Sequence, residues 1–226
     1  MSPTSAPPYL FQDRHQAGRA LAEALQPRVH GQPVVLALPR GGVPVGYEVA
    51  KAFDAPLDLV LVRKIGAPGH PEFGIGAVVD GTPPRWVVDE SLLEHFSIPV
   101  KWFEAAKKAQ LREIERRRGL YCGNRPPEAI TGREVIVVDD GVATGSTARV
   151  ALLMLRETQP QRLILAVPVG PREAIEALRP LVDELVCLFT PAPFHAVGLH
   201  YADFTQTTDT EVIELLARAE DHGRPG

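Results

Sequence analysis

The sequence has little cysteine, no long apolar run and no strong excess of either charge. Its two cysteines, Cys122 and Cys187, lie far apart and lack the spacing of a metal-binding motif, so we expect reduced thiols in a cytoplasmic protein. No apolar run approaches the ~18 residues that a membrane span needs, so no association with a membrane is expected. With 24 basic and 28 acidic residues the net charge is −4, and this balance argues against bulk affinity for nucleic acid.

What is present suits a folded enzyme-sized domain. Of the 226 residues, 45% are apolar, which is enough for a substantial core. Short apolar runs alternate with helical patterns, which predicts an α/β fold with a mostly parallel sheet flanked by helices. We expect a single domain over residues 1–226, with a hairpin-plus-helix insertion at about residues 80–132 and a small hood.

One stretch, residues 134–147, organises the rest of the prediction. It opens with an apolar, β-branched run that is typical of a strand buried on both faces. Asp139 and Asp140 follow where this strand should end, and a loop of glycine and hydroxyl residues then leads into a helix. Gly141 and Gly145 allow the backbone to curl around an anion, and the start of the helix adds unpaired N–H groups.

This loop fits one phosphate group. No lysine follows Gly145, so the loop is not a Walker A loop, whose lysine reaches a polyphosphate. Two adjacent carboxylates at its mouth can accept hydrogen bonds from neighbouring hydroxyls or help to hold a hydrated Mg²⁺. A monophosphate beside a diol describes ribose 5-phosphate.

Residues 135–147 closely resemble the ribose-phosphate motif of type I phosphoribosyltransferases: four apolar residues, two acids and a Thr-Gly-x-Thr end. The resemblance implies that the acids contact the ribose 2′- and 3′-hydroxyls and that the loop holds the 5′-phosphate of phosphoribosyl pyrophosphate (PRPP). The residues implied are Asp139, Asp140, Ala143, Thr144, Gly145, Ser146 and Thr147.

A second strand–loop–helix unit precedes the first. A strand at residues 34–38 leads into Arg40-Gly41-Gly42, and a helix is expected to reach about Phe53. The Arg-Gly-Gly sequence resembles the pyrophosphate loop of xanthine–guanine phosphoribosyltransferases. The resemblance implies that backbone amides hold the leaving pyrophosphate, and Arg40 would add charge-assisted contacts.

A third buried strand is predicted at residues 57–62, with Arg63 and Lys64 at its end. Ligands of open α/β sheets bind at such ends, so both cations are expected in the pyrophosphate site. Residues 65–76 are rich in proline and glycine and are similar to the mobile loop that closes over the reaction centre in this family. Glu72 and His70 are the titratable side chains of this loop and candidates for proton transfer.

Two further predictions concern helices. Asp13 is expected to cap the first helix, with Gln16 completing a capping box. We interpret Arg14 beside it as a surface residue, with a functional Asp13-Arg14 pair as the alternative. Ser97 is expected to cap a long helix over residues 98–118. This helix carries an excess of basic residues, which we interpret as a solvated face.

Residues 189–206 resemble the base-binding tail of hypoxanthine–guanine phosphoribosyltransferases, where an aromatic side chain just before Val-Gly stacks on the purine. Phe194 or His195 would be that stacking residue here, followed by Val197. The family lysine that recognises a 6-oxo group is missing, because no lysine occurs after Lys108. Ala143 stands where 6-oxopurine enzymes carry an aspartate, as a small residue does in adenine and orotate enzymes.

The resemblance implies a Mg²⁺-dependent phosphoribosyltransferase of nucleotide salvage that uses PRPP and a nitrogenous base, with purine-like bases favoured. Asp140, Glu72 and Lys64 are the candidate catalytic residues. Two alternatives stay open: a regulator that binds PRPP or a nucleotide without turnover, and a nucleotide-polyphosphate hydrolase. The sequence also leaves open the base and the oligomeric state, including a homodimer.

Overall fold

The computed structural model describes residues 9–81 and 83–222, with the side chains of Glu72 and His222 outside the description. The elements in chain order are α1 (Arg14–Leu25), β1 (Val34–Ala37), α2 (Gly42–Ala52), β2 (Leu57–Leu59), β3 (Val62–Ala67), β4 (His70–Val79), β5 (Arg85–Val88), α3 (Glu90–His95), α4 (Val100–Cys122), β6 (Glu134–Val138), α5 (Ser146–Arg156), β7 (Arg162–Val169), α6 (Arg172–Leu178), β8 (Glu184–Phe189) and α7 (Asp209–His222). In these two ranges no helix is both long enough and apolar enough to cross a bilayer.

Five parallel strands form the main sheet in the order β2-β1-β6-β7-β8. Every residue of β1 and β6 is buried, as the continuous apolar runs predict. Alternate residues of β6 face two different cores, one shared with α1, α2 and α7 and the other with α5 and α6. The predicted α/β fold is therefore confirmed. Because Ala37 pairs with Val138, the loops after β1 and β6 leave the sheet side by side.

A second sheet contains the antiparallel strands β3, β4 and β5, and we call it the hood. Residues 65–76, for which we predicted a mobile loop, form a hairpin in which β3 and β4 pair across this segment. Two glycines are needed for the geometry of this hairpin. Gly69 has φ +76° in the turn, and a side chain on Gly66 would clash, because its Cβ would lie 2.4 Å from the Pro71 carbonyl oxygen. Residues 77–79 pair antiparallel with residues 85–87, which forms the hairpin expected at the start of the insertion.

The long helix of the insertion begins later than predicted. Ser97 does not cap it: Ser97 has φ +49°, and α4 starts at Val100 with Pro99 as its N-cap residue. The reason is that a proline disfavours helical backbone in the residue before it, so Ile98 cannot open the helix. The cap of α1 is confirmed, since the Asp13 side chain accepts a hydrogen bond from the Gln16 N–H.

The basic face of α4 is not all solvated, because Arg118 is buried between two acids. Its Nη2 lies 2.8 Å from Asp58 Oδ2, and its Nη1 lies 2.8 Å from Asp80 Oδ2. Asp58 belongs to β2 of the main sheet, whereas Asp80 follows β4 of the hood. This one side chain therefore holds the insertion, the hood and the main sheet together.

The burial of Asp80 leads us to expect a measurable pH dependence of stability. Burial raises the pKa of Asp80 to about 6, against the opposing effects of Arg118 and the Leu61 N–H. The folded protein therefore holds an extra proton between about pH 4 and pH 6, and this contribution to stability is lost as the pH rises through that window. Relative to Asp80→Asn, the wild type should lose up to about 3 kcal/mol of unfolding free energy across it. Urea unfolding from about pH 4.5 to 7.5 measures this difference, and a flat difference would contradict the assignment.

Candidate functional site

The two predicted anion loops touch each other at the carboxyl ends of β1 and β6. A Cβ built on Gly41 would lie only 2.0 Å from Asp140 Oδ2, and one on Gly42 would lie 2.8 Å from the Val138 carbonyl oxygen. Glycine is therefore required for the loop after β1 to pack against the acid pair. The two loops form one continuous site with Asp139 and Asp140 between them.

The two acids are only partly accessible to solvent, and each influences the pKa of the other. The Asp140 N–H donates to Asp139 Oδ1 at 2.9 Å. Burial and the neighbouring Asp140 raise the pKa of Asp139 well above its usual range. Burial also raises the pKa of Asp140, although Arg14 opposes the rise. Two carboxylates that are this close together and poorly solvated do not both ionise readily. The proton therefore resides preferentially on Asp139, and the negative charge resides on Asp140.

The loop after the acids is shaped for an anion. Gly145 has φ +77° and precedes the first turn of α5, whose free N–H groups face the loop. The Ser146 hydroxyl lies 3.1 Å from Thr144 Oγ1, and Lys64 Nζ donates to Ser146 Oγ at 2.6 Å. Ala143 and Thr147 are exposed on the same loop. A lysine from the hood thus supplies the positive charge that the loop itself lacks.

Arg63 and Lys64 are not brought together. Neighbouring residues of a strand point to opposite faces, and Arg63 Nε donates to Gln110 on α4 at 3.0 Å while Lys64 reaches the loop. The prediction of two cations in one site assumed that both follow the strand, whereas both lie within β3. Arg40 faces the start of α7, with Nη1 3.5 Å from Asp209 Oδ1.

Glu72 and His70 lie on β4, beside the turn of the hood hairpin. The Glu72 side chain lies outside the described residues, and its role stays a prediction. The His70 side chain is exposed.

The predicted base-binding tail packs against the ribose loop. A Cβ on Gly141 would lie 2.5 Å from Val197 Cγ1, so these two residues are in close contact. Phe194 is half-buried and stacks on His200 with ring centroids 5.1 Å apart, whereas His195 is exposed. The Tyr201 hydroxyl donates to the Asp140 carbonyl oxygen at 2.6 Å, which ties the tail to the acid pair.

Arg14 belongs to this site, contrary to the prediction of a surface residue. Its Nε donates to Asp140 Oδ2 at 2.8 Å, and its Nη1 donates to the Thr205 carbonyl oxygen at 2.7 Å. The guanidinium also lies 3.9 Å from the centroid of the Phe204 ring, and the side chain is only 10% exposed. Only the fold shows this position, because 126 residues separate Arg14 from Asp140.

Two adjoining anion loops with an acid pair between them, at the carboxyl ends of parallel strands, define an α/β protein whose sheet carries a double anion site. The sequence profile of the phosphoribosyl transferase domain matches residues 11–202. The chain therefore belongs to the phosphoribosyl transferase family and has the type I fold of that family.

Individual relatives agree with this membership. Curated proteins from two strains of Mycobacterium tuberculosis, which carry the provisional name phosphoribosyl transferase, are 43% identical over 210 residues. The match covers 93% of this chain and 47% of theirs, so the chain spans about half the length of these relatives.

Solved structures are similar as well. A Thermus thermophilus protein is 43% identical with a TM-score of 0.77, and the match covers 92% of this chain and 98% of that one. A hypoxanthine-guanine phosphoribosyltransferase of Bacillus anthracis is similar at 14% identity and a TM-score of 0.43, with 80% of each chain covered.

Proposed function

We propose that this protein transfers the 5-phosphoribosyl group of PRPP to a nitrogen of a purine-like base and releases pyrophosphate. The contact between the two anion loops carries the proposal. PRPP has a phosphate at one end of the ribose, a diol in the middle and a pyrophosphate at the anomeric carbon. The loop after β6, the acid pair and the loop after β1 offer partners for these three parts within one continuous site.

The 5′-phosphate is assigned to the turn before α5. Thr144, Ser146 and Thr147 offer hydroxyl donors, the first turn of α5 offers N–H groups, and Lys64 offers a cation. The ribose hydroxyls would donate to Asp140, and Asp139 would support it. The charged partner Arg14 favours the ionised form of Asp140, which suits this acid for accepting these hydrogen bonds.

The pyrophosphate is assigned to the loop at Arg40, Gly41 and Gly42. Gly41 is the N-cap residue of α2, so the positive end of the helix dipole lies at this loop. Arg40 would have to exchange its 3.5 Å contact with Asp209 for the pyrophosphate oxygens. Both predicted anion sites thus lie at the start of a helix that follows a central strand.

The reaction places opposite charges at these two subsites. The nitrogen lone pair of the base attacks the anomeric carbon, and the bond to pyrophosphate breaks with its electron pair leaving on oxygen. Positive charge develops on the ribose beside Asp140, and negative charge develops on the pyrophosphate near Arg40 and the positive end of the α2 helix dipole. The base nitrogen loses its proton, and Glu72 stays the predicted acceptor.

Mg²⁺ fits this site as a partner of the substrate. Among the described residues, no group of three or more His, Cys, Asp or Glu side chains is placed to hold a metal ion. Mg²⁺ usually binds one or two carboxylates together with substrate phosphates and water, and Asp139 and Asp140 could supply those carboxylates. Bound there, it would neutralise the charge that develops on the pyrophosphate.

The base is assigned to the tail over residues 189–206. Phe194, His195 and Val197 line the segment that packs on the ribose loop, and an aromatic ring favours a flat base. The exposed Ala143 cannot carry a proton, which moves the preference away from hypoxanthine and guanine.

Pyrophosphate release from Mg²⁺-PRPP tests the proposal, with adenine, hypoxanthine, guanine, xanthine, uracil, orotate and nicotinate as separate acceptors. We expect release that depends on one of these bases and that falls by ~10²-fold or more in Asp139→Asn/Asp140→Asn. Asp54→Asn is the matched control, because Asp54 is exposed after the C-terminal end of α2 and its φ of +49° suits asparagine.

The results separate the alternatives. PRPP binding by calorimetry without release for any base would favour the regulator, which binds PRPP or a nucleotide without turnover. Release without a base would favour a hydrolase. Neither binding nor release would overturn the assignment of residues 135–147 to ribose phosphate.

A further inference from the structure

Arg14 makes three different contacts with three different groups, all within one buried side chain. Nε binds the carboxylate of Asp140, Nη1 binds the carbonyl oxygen of Thr205, and the guanidinium plane lies over Phe204. The side chains of Arg14 and Asp140 are 10% and 14% exposed. Because the pair is largely shielded from water and the guanidinium has three partners, the side chain of Arg14 is held in one orientation.

The contact with Asp140 fixes one oxygen and leaves capacity on the carboxylate. A carboxylate offers about four lone-pair positions, and the single hydrogen bond from Arg14 Nε uses one of them at Oδ2. The same oxygen faces Gly41, where a Cβ would lie 2.0 Å away. Asp140 is therefore held from two sides by its Oδ2, and its remaining lone pairs can accept sugar hydroxyls.

The other contacts of Arg14 lead to the tail. Phe204 and Thr205 belong to the segment assigned to the base, and Tyr201 from the same segment binds the Asp140 carbonyl oxygen. The backbone around Arg14 is attached there too, since the Ala202 and Asp203 N–H groups donate to Phe11 and Gln12. One side chain thus contacts both the tail and the carboxylate of Asp140.

We propose that Arg14 is a positioning residue that orients Asp140 toward the ribose hydroxyls and couples the ribose subsite to the base-binding tail. This inference rests on the proposed function of the site. An arginine is needed because its planar, branched guanidinium binds a carboxylate, a carbonyl oxygen and an aromatic face at once, whereas a lysine ammonium is a single point charge.

Separate halves of the substrate make the test specific. Ribose 5-phosphate and Mg²⁺-pyrophosphate are each titrated by calorimetry into the wild type, Arg14→Gln and Arg14→Lys. We expect Arg14→Gln to weaken ribose 5-phosphate binding by ~10–100-fold, the size of a lost hydrogen bond to a charged group, with pyrophosphate binding changed less than about twofold. Arg14→Lys should fall between the two, because it keeps the charge and loses the geometry.

Two further variants complete the design. Arg19→Gln is the matched control: Arg19 is on the same helix, is 57% exposed and pairs only loosely with Glu48 at 3.6 Å, so both affinities should match the wild type. Phe204→Leu leaves Arg14 and Asp140 in place and removes the aromatic face. It should weaken ribose 5-phosphate binding by about two- to fivefold if the tail helps to hold Arg14.

The outcomes distinguish a failure of the inference about Arg14 from a failure of the proposed function. If the wild type binds ribose 5-phosphate and both Arg14→Gln and Arg14→Lys bind it as tightly as the wild type does, the role of Arg14 is overturned and the proposed function stands. If both ligands weaken in parallel in Arg14→Gln, the residue is merely structural and the inference is again overturned. If the wild type binds neither ligand, the proposed function itself fails.

Discussion

Replacing Gly41 with alanine should lower kcat/KM for PRPP-dependent pyrophosphate release by ~10²-fold or more, the cost of displacing a substrate-binding group by about 1 Å. The added Cβ would lie 2.0 Å from Asp140 Oδ2 and 2.6 Å from its Cγ, which is too close for non-bonded heavy atoms. Either Asp140 moves and its proposed hydrogen bonds to the ribose are lost, or the loop after β1 moves and its proposed contacts with the pyrophosphate are lost. The backbone gives no reason for unfolding, because Gly41 has helical dihedral angles, φ −60° and ψ −31°.

Gly119→Ala is the matched control for this substitution. Gly119 lies inside α4, and a Cβ there meets no atom within 4 Å. Alanine should raise stability there by about 0.5–1 kcal/mol and leave the kinetics unchanged. Steady-state kinetics and thermal unfolding of both variants check the pair. Wild-type activity of Gly41→Ala would show that the two loops do not act as one site.

Replacing Arg118 with methionine should have the largest effect on stability, a loss of about 3 kcal/mol of unfolding free energy at pH 8. The change removes the cation between Asp58 and Asp80 and leaves Asp80 without its charged partner. Removal of Arg118 also removes an influence that lowers the pKa of Asp80. The acid then protonates more easily, so the loss should be smaller at pH 5 than at pH 8.

Arg116→Met provides the comparison two residues away. Arg116 is 61% exposed and pairs with Glu113 across one helical turn, a type of contact that contributes about 0.5 kcal/mol or less. Urea unfolding of both variants at the two pH values measures the four differences. Equal losses for Arg116→Met and Arg118→Met would contradict a structural role for the buried cluster.

The parts of the site that depend on neighbouring residues could be predicted from the sequence. An apolar run, two acids, a glycine–hydroxyl turn and a helix are consecutive between Glu134 and Arg156, and the structure has them as β6, the loop and α5. The same holds for β1, Arg40-Gly41-Gly42 and α2. In both units the local pattern and the buried environment agree, so periodicity and turn residues suffice.

The hood shows where local patterns mislead. Proline and glycine at residues 65–76 are typical of a loop and gave no sign of paired strands, yet each can be accommodated at a turn or bulge once a partner strand is present. Because the segment is a strand, Arg63 and Lys64 alternate between faces and only Lys64 reaches the phosphate loop. Pairing between strands decided the outcome, and a single sequence does not show which segments pair.

Arg14 and Arg118 show the complementary error. Charged residues on helices are usually solvated, and that expectation placed both at the surface. Their burial depends on acids that are distant in the chain: Asp140 is 126 residues from Arg14, and Asp58 is 60 residues from Arg118. Only the assembled topology brings these charges together.

The contact between Arg14 and Thr205 spans 191 residues, nearly the whole described chain. Contacts of such high sequence separation close the longest loops and are expected to form late in folding. A folding intermediate that has the central sheet but not this contact would therefore carry the complete ribose-phosphate loop without the contacts that orient its acid. Competence for the sugar should consequently appear only in the final stage of folding, after the central sheet is already native.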